Sequence, residues 1–169
     1  MPGQVIYSGY YNAPLGILAC TTTDVGLAVV HILKDQEAAY SIDLHLHPIL
    51  KKTFSQLDQY FQGKRKTFDL PLDFLNATPF CKSVWNILLT IPYGQTRSYG
   101  EIAAGLGDIN KSRAVGMANG RNPMAIVVPC HRVIGRDNSL TGYAGGLEVK
   151  QQLLELENPA RWIHQSKLF

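Results

Sequence analysis

Cys130 is followed directly by His131, and that pair is the first place to look for chemistry. A free thiol titrates near pH ~8.5, so little of it is thiolate at neutrality, and a nucleophilic cysteine needs a base beside it. If the two residues lie in extended chain, their side chains leave opposite faces. Imidazole then reaches sulfur only through a bridging water. Taken alone, the pair reads more simply as a buried, inert thiol beside a histidine bonded to a backbone carbonyl. The other cysteines, Cys20 and Cys81, lie far away in sequence. Three cysteines so spaced make neither a disulfide framework nor a four-ligand zinc site. No metal and no cofactor is expected; His45 and His47 read as residues that cap or flank a helix opening at Pro48, and Cys81 as core.

Charge points to a second function beside the thiol. The 169 residues carry a net charge of +3, but unevenly. Residues 80–137 hold Lys82, Arg97, Lys111, Arg113, Arg121, Arg132 and Arg136 against only Glu101, Asp108 and Asp137, while the flanking segments are near balance. Such an excess draws a polyanion, although a solvated face looks the same in sequence. A hydrophobic fraction of 46% is that of a chain with a real core, which argues against disorder. No apolar run approaches the ~20 residues of a membrane span, and no basic-then-apolar leader opens the chain. A soluble, cytoplasmic protein is the expectation.

These residues need elements to hold them. Val5–Tyr10, Leu15–Cys20 and Leu27–Leu33 are short β-branched or aromatic runs separated by turn residues, so three strands are predicted. The third is apolar on both faces, as a covered central strand would be. Pro48 opens a helix whose Leu50, Phe54, Leu57 and Phe61 recur at helical spacing, with Gly63 as its stop. Lys64–Lys66 and Leu70-Pro71-Leu72 look like a linker, and a boundary is expected near 76–79, giving domains 1–77 and 78–169.

From Thr78 the pattern is helical. Phe80, Val84, Ile87, Leu88 and Ile91 share a face, and Pro92-Tyr93-Gly94 ends it. Ser98-Tyr99-Gly100-Glu101 is a capping box for a short helix with Tyr99, Ile102, Ala103 and Leu106. Gly107, a tight turn and a second short helix, Ser112–Asn119, complete a helix-turn-helix signature, one that many non-binding hairpins share. Apart from Arg113, the second helix is small and uncharged in its middle, Ala114-Val115-Gly116-Met117-Ala118. It lacks the polar side chains that read a major groove. It suits either protein core or a shallow minor groove. Ile126–Val128 reads as a buried strand running into Cys130, and Val149, Leu153 and Leu156 mark a last helix.

Pro129-Cys130-His131-Arg132-Val133, preceded by Asn122-Pro123 and followed by Gly142-Tyr143-Ala144-Gly145-Gly146, resembles the active-site signature of the O6-alkylguanine-DNA alkyltransferases, the methylated-DNA–protein-cysteine methyltransferases. The likeness runs from Phe80 to Glu157 and takes in Ile91–Gly94, Ser98–Ala103 and Arg113–Gly116; before that, only Pro14-Leu15-Gly16 echoes the family. The resemblance implies an α+β fold, with a small N-terminal RNase H-like sheet-plus-helix domain and a C-terminal winged-helix or helix-turn-helix alkyltransferase domain. It implies a DNA-repair transferase that flips O6-alkylguanine, with O4-alkylthymine as a further candidate, and takes the alkyl group irreversibly onto Cys130. His131, acting through water, would be the base and Glu157 its orienter. Arg113 would enter the duplex behind the flipped base, and Tyr99 would crowd the 3′ phosphate and address guanine N3. Ala114 and Gly116 would lie on DNA.

Asn122 would hinge the recognition helix to the active-site segment. The carbonyls of Cys130 and Val133 would accept from the exocyclic amine, the Ala144 N–H would donate to O6, and Leu140, Tyr143 and Gly145 would wall the pocket. Duplex DNA bound through the minor groove is the implied partner, the protein itself a monomer. Some relatives have Ser at the position of Ala144, where only the N–H is needed, and some hold an N-terminal zinc for which Cys20 lacks partners. Two other classes stay open on the residues: a lesion-binding module, against which the presence of Cys130 argues, and a cysteine hydrolase, which gives no reason for Arg113 and Tyr99.

Overall fold

The computed structural model describes residues 6–34 and 47–163. His45 lies outside them. The chain divides into two compact units, Met1–Leu75 and Asn76–Phe169.

In the first unit, β1 (Ile6–Ala13), β2 (Gly16–Thr23) and β3 (Leu27–Leu33) form an antiparallel sheet in that order. Ala13 pairs with Gly16 across the two-residue turn Pro14-Leu15, and Gly16 takes φ 130°, a conformation that costs glycine little. Among the described residues β2, not β3, is the central strand. β3 is apolar on both faces because the expected linker covers it: Leu72 bridges Leu27 in parallel, Leu27 N donates to Pro71 O, and Asp73 N donates to Leu27 O. A Cβ on Gly26 would lie 2.7 Å from Pro71 O, so this docking requires glycine there.

Helix α1 (Pro48–Phe61) packs on the sheet and is capped by His47, whose Nδ1 accepts from Ile49 N. Its buried stripe is Leu50, Thr53, Gln56, Leu57 and Tyr60. Phe54 and Phe61, expected in that stripe, are half-buried and pack on the Tyr11 ring instead.

The second unit begins with α2 (Pro79–Leu88), N-capped by Thr78 and buried through Cys81, Val84, Trp85 and Leu88. The two-residue β4 (Arg97–Ser98) runs into α3 (Tyr99–Gly105), where the reciprocal bonds of Ser98 and Glu101 form the capping box. Gly107 at φ 91° stops α3, a 3-10 turn spans Ile109–Lys111, and α4 (Ser112–Gly120) follows. Trp85 Nε1 donates to Ala118 O, tying α2 to α4.

No strand forms at Ile126–Val128. Those residues are buried turn, with Ile126 at φ 73°, a strained setting for a β-branched side chain. Pro123 and Pro129 bracket the segment, and the Asn122 amide takes its backbone groups, accepting from Met124 N and donating to Val128 O. β5 (Val133–Ile134) then pairs in parallel with β4, and α5 (Leu147–Glu157) and the one-turn α6 (Pro159–Trp162) close the unit. The stripe that α5 buries is Lys150, Leu153, Leu154 and Glu157 rather than Val149, Leu153 and Leu156. A charged pair enters the core with it.

Candidate active site

Cys130 and His131 lie in a 3-10 turn, Cys130–Arg132, not in extended chain, and both are buried. Burial pushes the Cys130 thiol up. The Asn122 side chain, the Lys150 ammonium and the backbone N–H groups of Cys130 and His131 pull it back. Lys150, with no exposed surface, donates through Nζ to Val133 O at 2.6 Å and to Thr141 O at 3.0 Å. Burial lowers it to about 8.

His131 Nε2 is 2.7 Å from Glu157 Oε1. Arg132 grips the same carboxylate with two bonds of 2.8 Å, from Nε and Nη2, and Gly94 N adds a third. Burial would raise Glu157, but His131 and Arg132 hold it well below the ordinary carboxylate range. Its place at the end of α5 is unfavourable for an anion, and the permanent charge of Arg132 offsets this. Burial lowers His131, against the opposing pull of Glu157. The imidazole is therefore neutral beside an ionised, acceptor-only carboxylate, and Nε2 must be the donor. That leaves the Nδ1 lone pair free, buried and unpartnered among the described residues. It is the base.

Arg132 was not legible as a site residue. It is buried, its Nη1 donates to Ile91 O at 2.7 Å, and its guanidinium lies over the Tyr93 ring. Six of the seven cations of residues 80–137 remain exposed once it is paired inside. Ile91–Gly94 is thus a cradle for Glu157 as well as a helix stop. Gly94 sits at φ 77°, and a Cβ there would stand 3.0 Å from Glu157 O.

Tyr99 packs its ring against Gly116, where a Cβ would lie 3.7 Å away, and its hydroxyl bonds Thr141 O at 3.3 Å. Arg113 and Ala114 are exposed on α4, and Gly116 is half-buried. Arg113 makes no hydrogen bond or ion pair among the described residues. Burial, and after it the neighbouring Cys130 thiol and Glu157, push the Tyr143 phenol well above its ordinary value. Ala144 is exposed and Gly145 half-buried on the same loop, but Leu140 packs on Ile134, Leu154 and Trp162. The carbonyls of Cys130 and Val133 already have donors, Val133 N and Asn119 Nδ2 on the first, Lys150 Nζ on the second.

A cleft of about 770 Å³ opens elsewhere, along Ser98, Tyr99, Ser112, Arg136, Asn138 and Arg161. No cysteine or histidine lines it, and Arg136 and Arg161 give it positive charge. Among the described residues no group of His, Cys, Asp and Glu is disposed to hold a metal, and no helix is long and apolar enough to cross a membrane.

A helix-turn-helix beside a buried cysteine and a histidine–carboxylate pair is the arrangement of a DNA-binding protein with a thiol at its site. Residues 79–159 match the DNA-binding domain of 6-O-methylguanine DNA methyltransferase, and residues 6–74 match its ribonuclease-like domain. A methylated-DNA–protein-cysteine methyltransferase of Methanosarcina acetivorans is 45% identical over 154 residues, 90% of this chain and 98% of its own. One from Mycobacterium tuberculosis is 60% identical over 102 residues, 60% of this chain and 61% of its own. The crystal structure of the Mycobacterium tuberculosis O6-methylguanine methyltransferase superposes with a TM-score of 0.79 at 42% identity, covering 92% of this chain and 94% of that one. A crystal structure of Mycobacterium tuberculosis OGT in complex with DNA superposes with a TM-score of 0.77 at 44% identity, covering 89% of this chain and 91% of that one. The chain belongs to the 6-O-methylguanine DNA methyltransferase family, a family of DNA-repair proteins with a two-domain α+β fold.

Proposed function

We propose that this protein removes the alkyl group from O6-alkylguanine in duplex DNA and retains it on Cys130, one group per molecule. The observation that carries the reading is the free Nδ1 of His131, oriented by a Glu157 that Arg132 and Gly94 hold ionised. The Cys130 proton passes through water to Nδ1, and the thiolate attacks the alkyl carbon. The C–O6 bond breaks as the C–S bond forms, and its electron pair leaves on guanine, which takes a proton at the ring. The product thioether has no leaving group, so the protein reacts once.

The alkyl carbon lies inside the duplex, so the base must turn out, at a cost of a few kcal/mol. The exposed face of α4, with Arg113, Ala114 and Gly116, fits a minor groove because small residues allow backbone to approach phosphates closely. Arg113 is free to fill the gap. Tyr99 stands between α4 and the Thr141 loop, placed to crowd a phosphate, and exchanges its bond to Thr141 for guanine N3 when it acts. Arg136 and Arg161, in the cleft beside Tyr99, receive the phosphates next to the flipped nucleotide. A cytoplasmic monomer follows this reading, since each copy carries the whole relay.

Intact-protein mass spectrometry after incubation with O6-methylguanine DNA tests it. One added methyl group, mapped to the Cys130 peptide and never exceeded with time, is expected. An unmodified protein, or one that turns over more than one lesion, refutes it.

A further inference from the structure

Of the side chains around the Cys130 sulfur, Tyr143 alone brings a donor with no other engagement among the described residues. The Asn122 amide donates to Val128 O at 2.8 Å and to Met124 O at 3.4 Å. The Lys150 ammonium donates to Val133 O and Thr141 O. His131 bonds Glu157 through Nε2, and its Nδ1 is an acceptor. The Tyr143 hydroxyl, in contrast, is buried against the Cys130 sulfur and makes no hydrogen bond of ordinary geometry. Buried hydroxyls almost always have partners. The loop that carries it is tied on both sides: Gly146 N donates to Tyr143 O at 2.9 Å at the entry to α5, and Lys150 Nζ holds Thr141 O.

We infer that Tyr143 is a catalytic residue whose O–H donates to the Cys130 sulfur once the thiol has lost its proton. The inference rests on the proposed function and adds to it a group that holds the nucleophile. A neutral thiol is a weak acceptor, which leaves the hydroxyl idle at rest, whereas a thiolate is a strong one. The thiol proton still passes through water to His131 Nδ1, and Tyr143 keeps its own. As the C–S bond forms, the sulfur becomes a neutral thioether and the bond to it lapses. Burial and the neighbouring thiol hold the phenol well above its ordinary value, so it remains a donor wherever the reaction runs. The bond acts in two directions. It ionises more of the sulfur, but each thiolate becomes less nucleophilic, by about half of the change in basicity on a logarithmic scale. The net gain is modest, and it falls on the rate rather than on DNA affinity.

Iodomethane methylates a thiolate with no guanine to expel, so it isolates this effect. Methylation of the Cys130 peptide by iodomethane at pH 7, followed by mass spectrometry, is compared with transfer from O6-methylguanine DNA. Three proteins are used: wild type, Tyr143→Phe, and one carrying 3-fluorotyrosine at position 143, a more acidic phenol of nearly the same shape. Losing one donor leaves about tenfold less thiolate. With each thiolate about threefold more reactive, Tyr143→Phe should slow both reactions by about three- to fourfold and leave DNA affinity unchanged. The fluorinated protein should outpace wild type in both reactions. A merely structural tyrosine would not follow the acidity of its phenol. Tyr143→Phe that matches wild type with iodomethane overturns the inference, as does a fluorinated protein that is no faster. Slowing of the DNA reaction alone also overturns it, since the hydroxyl would then serve the substrate and not the thiolate. If Tyr143→Phe does not fold, the order of wild type and the fluorinated protein decides. A wild type that reacts with iodomethane but not with O6-methylguanine DNA refutes the proposed function, while the order of rates with iodomethane still decides the role of Tyr143.

Discussion

The two units each bury a cysteine, and only one is built to react. Cys20 sits on the central strand of the first sheet with no exposed surface, and burial alone drives its thiol to about 12. Cys130 is buried nearly as well, but Asn122, Lys150 and two backbone N–H groups oppose the burial. Burial raises a thiol in either place. What separates them is a set of donors and a cation that only the second unit supplies, together with a neighbouring histidine whose lone pair is free.

Removing the acceptor sharpens this most. Cys130→Ser should lower methyl uptake from O6-methylguanine DNA by about a thousandfold or more, while Cys20→Ala leaves the rate unchanged. Intact mass against time reads both. A Cys20→Ala protein that fails to react would show that the thiol of the first unit matters to the second.

Next is the ion pair beneath His131. Arg132→Met leaves the Glu157 carboxylate buried without its permanent counter-ion, which costs about 3–5 kcal/mol of stability. Chemical denaturation at pH 7 measures it. The acid limb of stability follows from Glu157. Its folded value lies below the ordinary 4.5, so its contribution is full above that pH and is lost as pH falls toward the folded value. Glu157→Gln should flatten the loss of stability below about pH 4.5 and slow alkyl transfer at pH 7 with DNA affinity retained. An unchanged acid limb would mean that His131 and Arg132 do not hold the carboxylate as described.

How this pair escaped a reading of the sequence is instructive. The capping box at Ser98, the His47 cap, the strand β3 and the helix-turn-helix are local matters, decided within a few residues, and each was legible. Glu157 and His131 were linked only by family resemblance, since no periodicity connects residues twenty-six apart. The apolar stripe assigned to α5 missed Lys150 and Glu157 because a charged side chain was assumed to face water. Yet Lys150, Leu153, Leu154 and Glu157 lie at helical spacing. A cation inside the apolar run from Ile126 to Ile134 asks for a buried acid, and that was the signal for Arg132. The expected strand at 126–128 failed for a different reason. Its N–H groups turn back on local carbonyls, Val127 N on Ala125 O and Val128 N on Met124 O, and Val128 O takes the Asn122 side chain, which no propensity shows.

The comparison extends to what reaches the thiol from outside. Arg113→Ala should slow repair in duplex DNA by about ten- to a hundredfold and leave the reaction of free O6-alkylguanine unchanged, because only a stacked base leaves a gap to fill. The ratio of the two second-order rate constants is the measurement. Equal losses on both substrates would make Arg113 a structural residue.

The smallest expected effect separates two roles of Lys150. Its ammonium helps Cys130 ionise, and it also ties Val133 O to Thr141 O. Lys150→Met keeps the length of the side chain and removes both, so at pH 7 alkyl transfer should fall by about tenfold. The pH profile tells the roles apart. The folded value of about 8 lies below the ordinary 10.5, so the folded protein loses this proton as pH rises through 8 while the unfolded chain keeps it to 10.5. Between those values stability rises with pH, since holding the buried charge is a cost of the folded state at neutrality. Over the same interval wild type loses its cation, but a neutral amine can still donate to both carbonyls. A rate gap between wild type and Lys150→Met that closes above pH 8 therefore assigns Lys150 to the charge of the thiolate. A gap of constant size up to pH 10 assigns it to the loop strut, and the difference between the two buried cysteines then rests on Asn122 and the backbone donors.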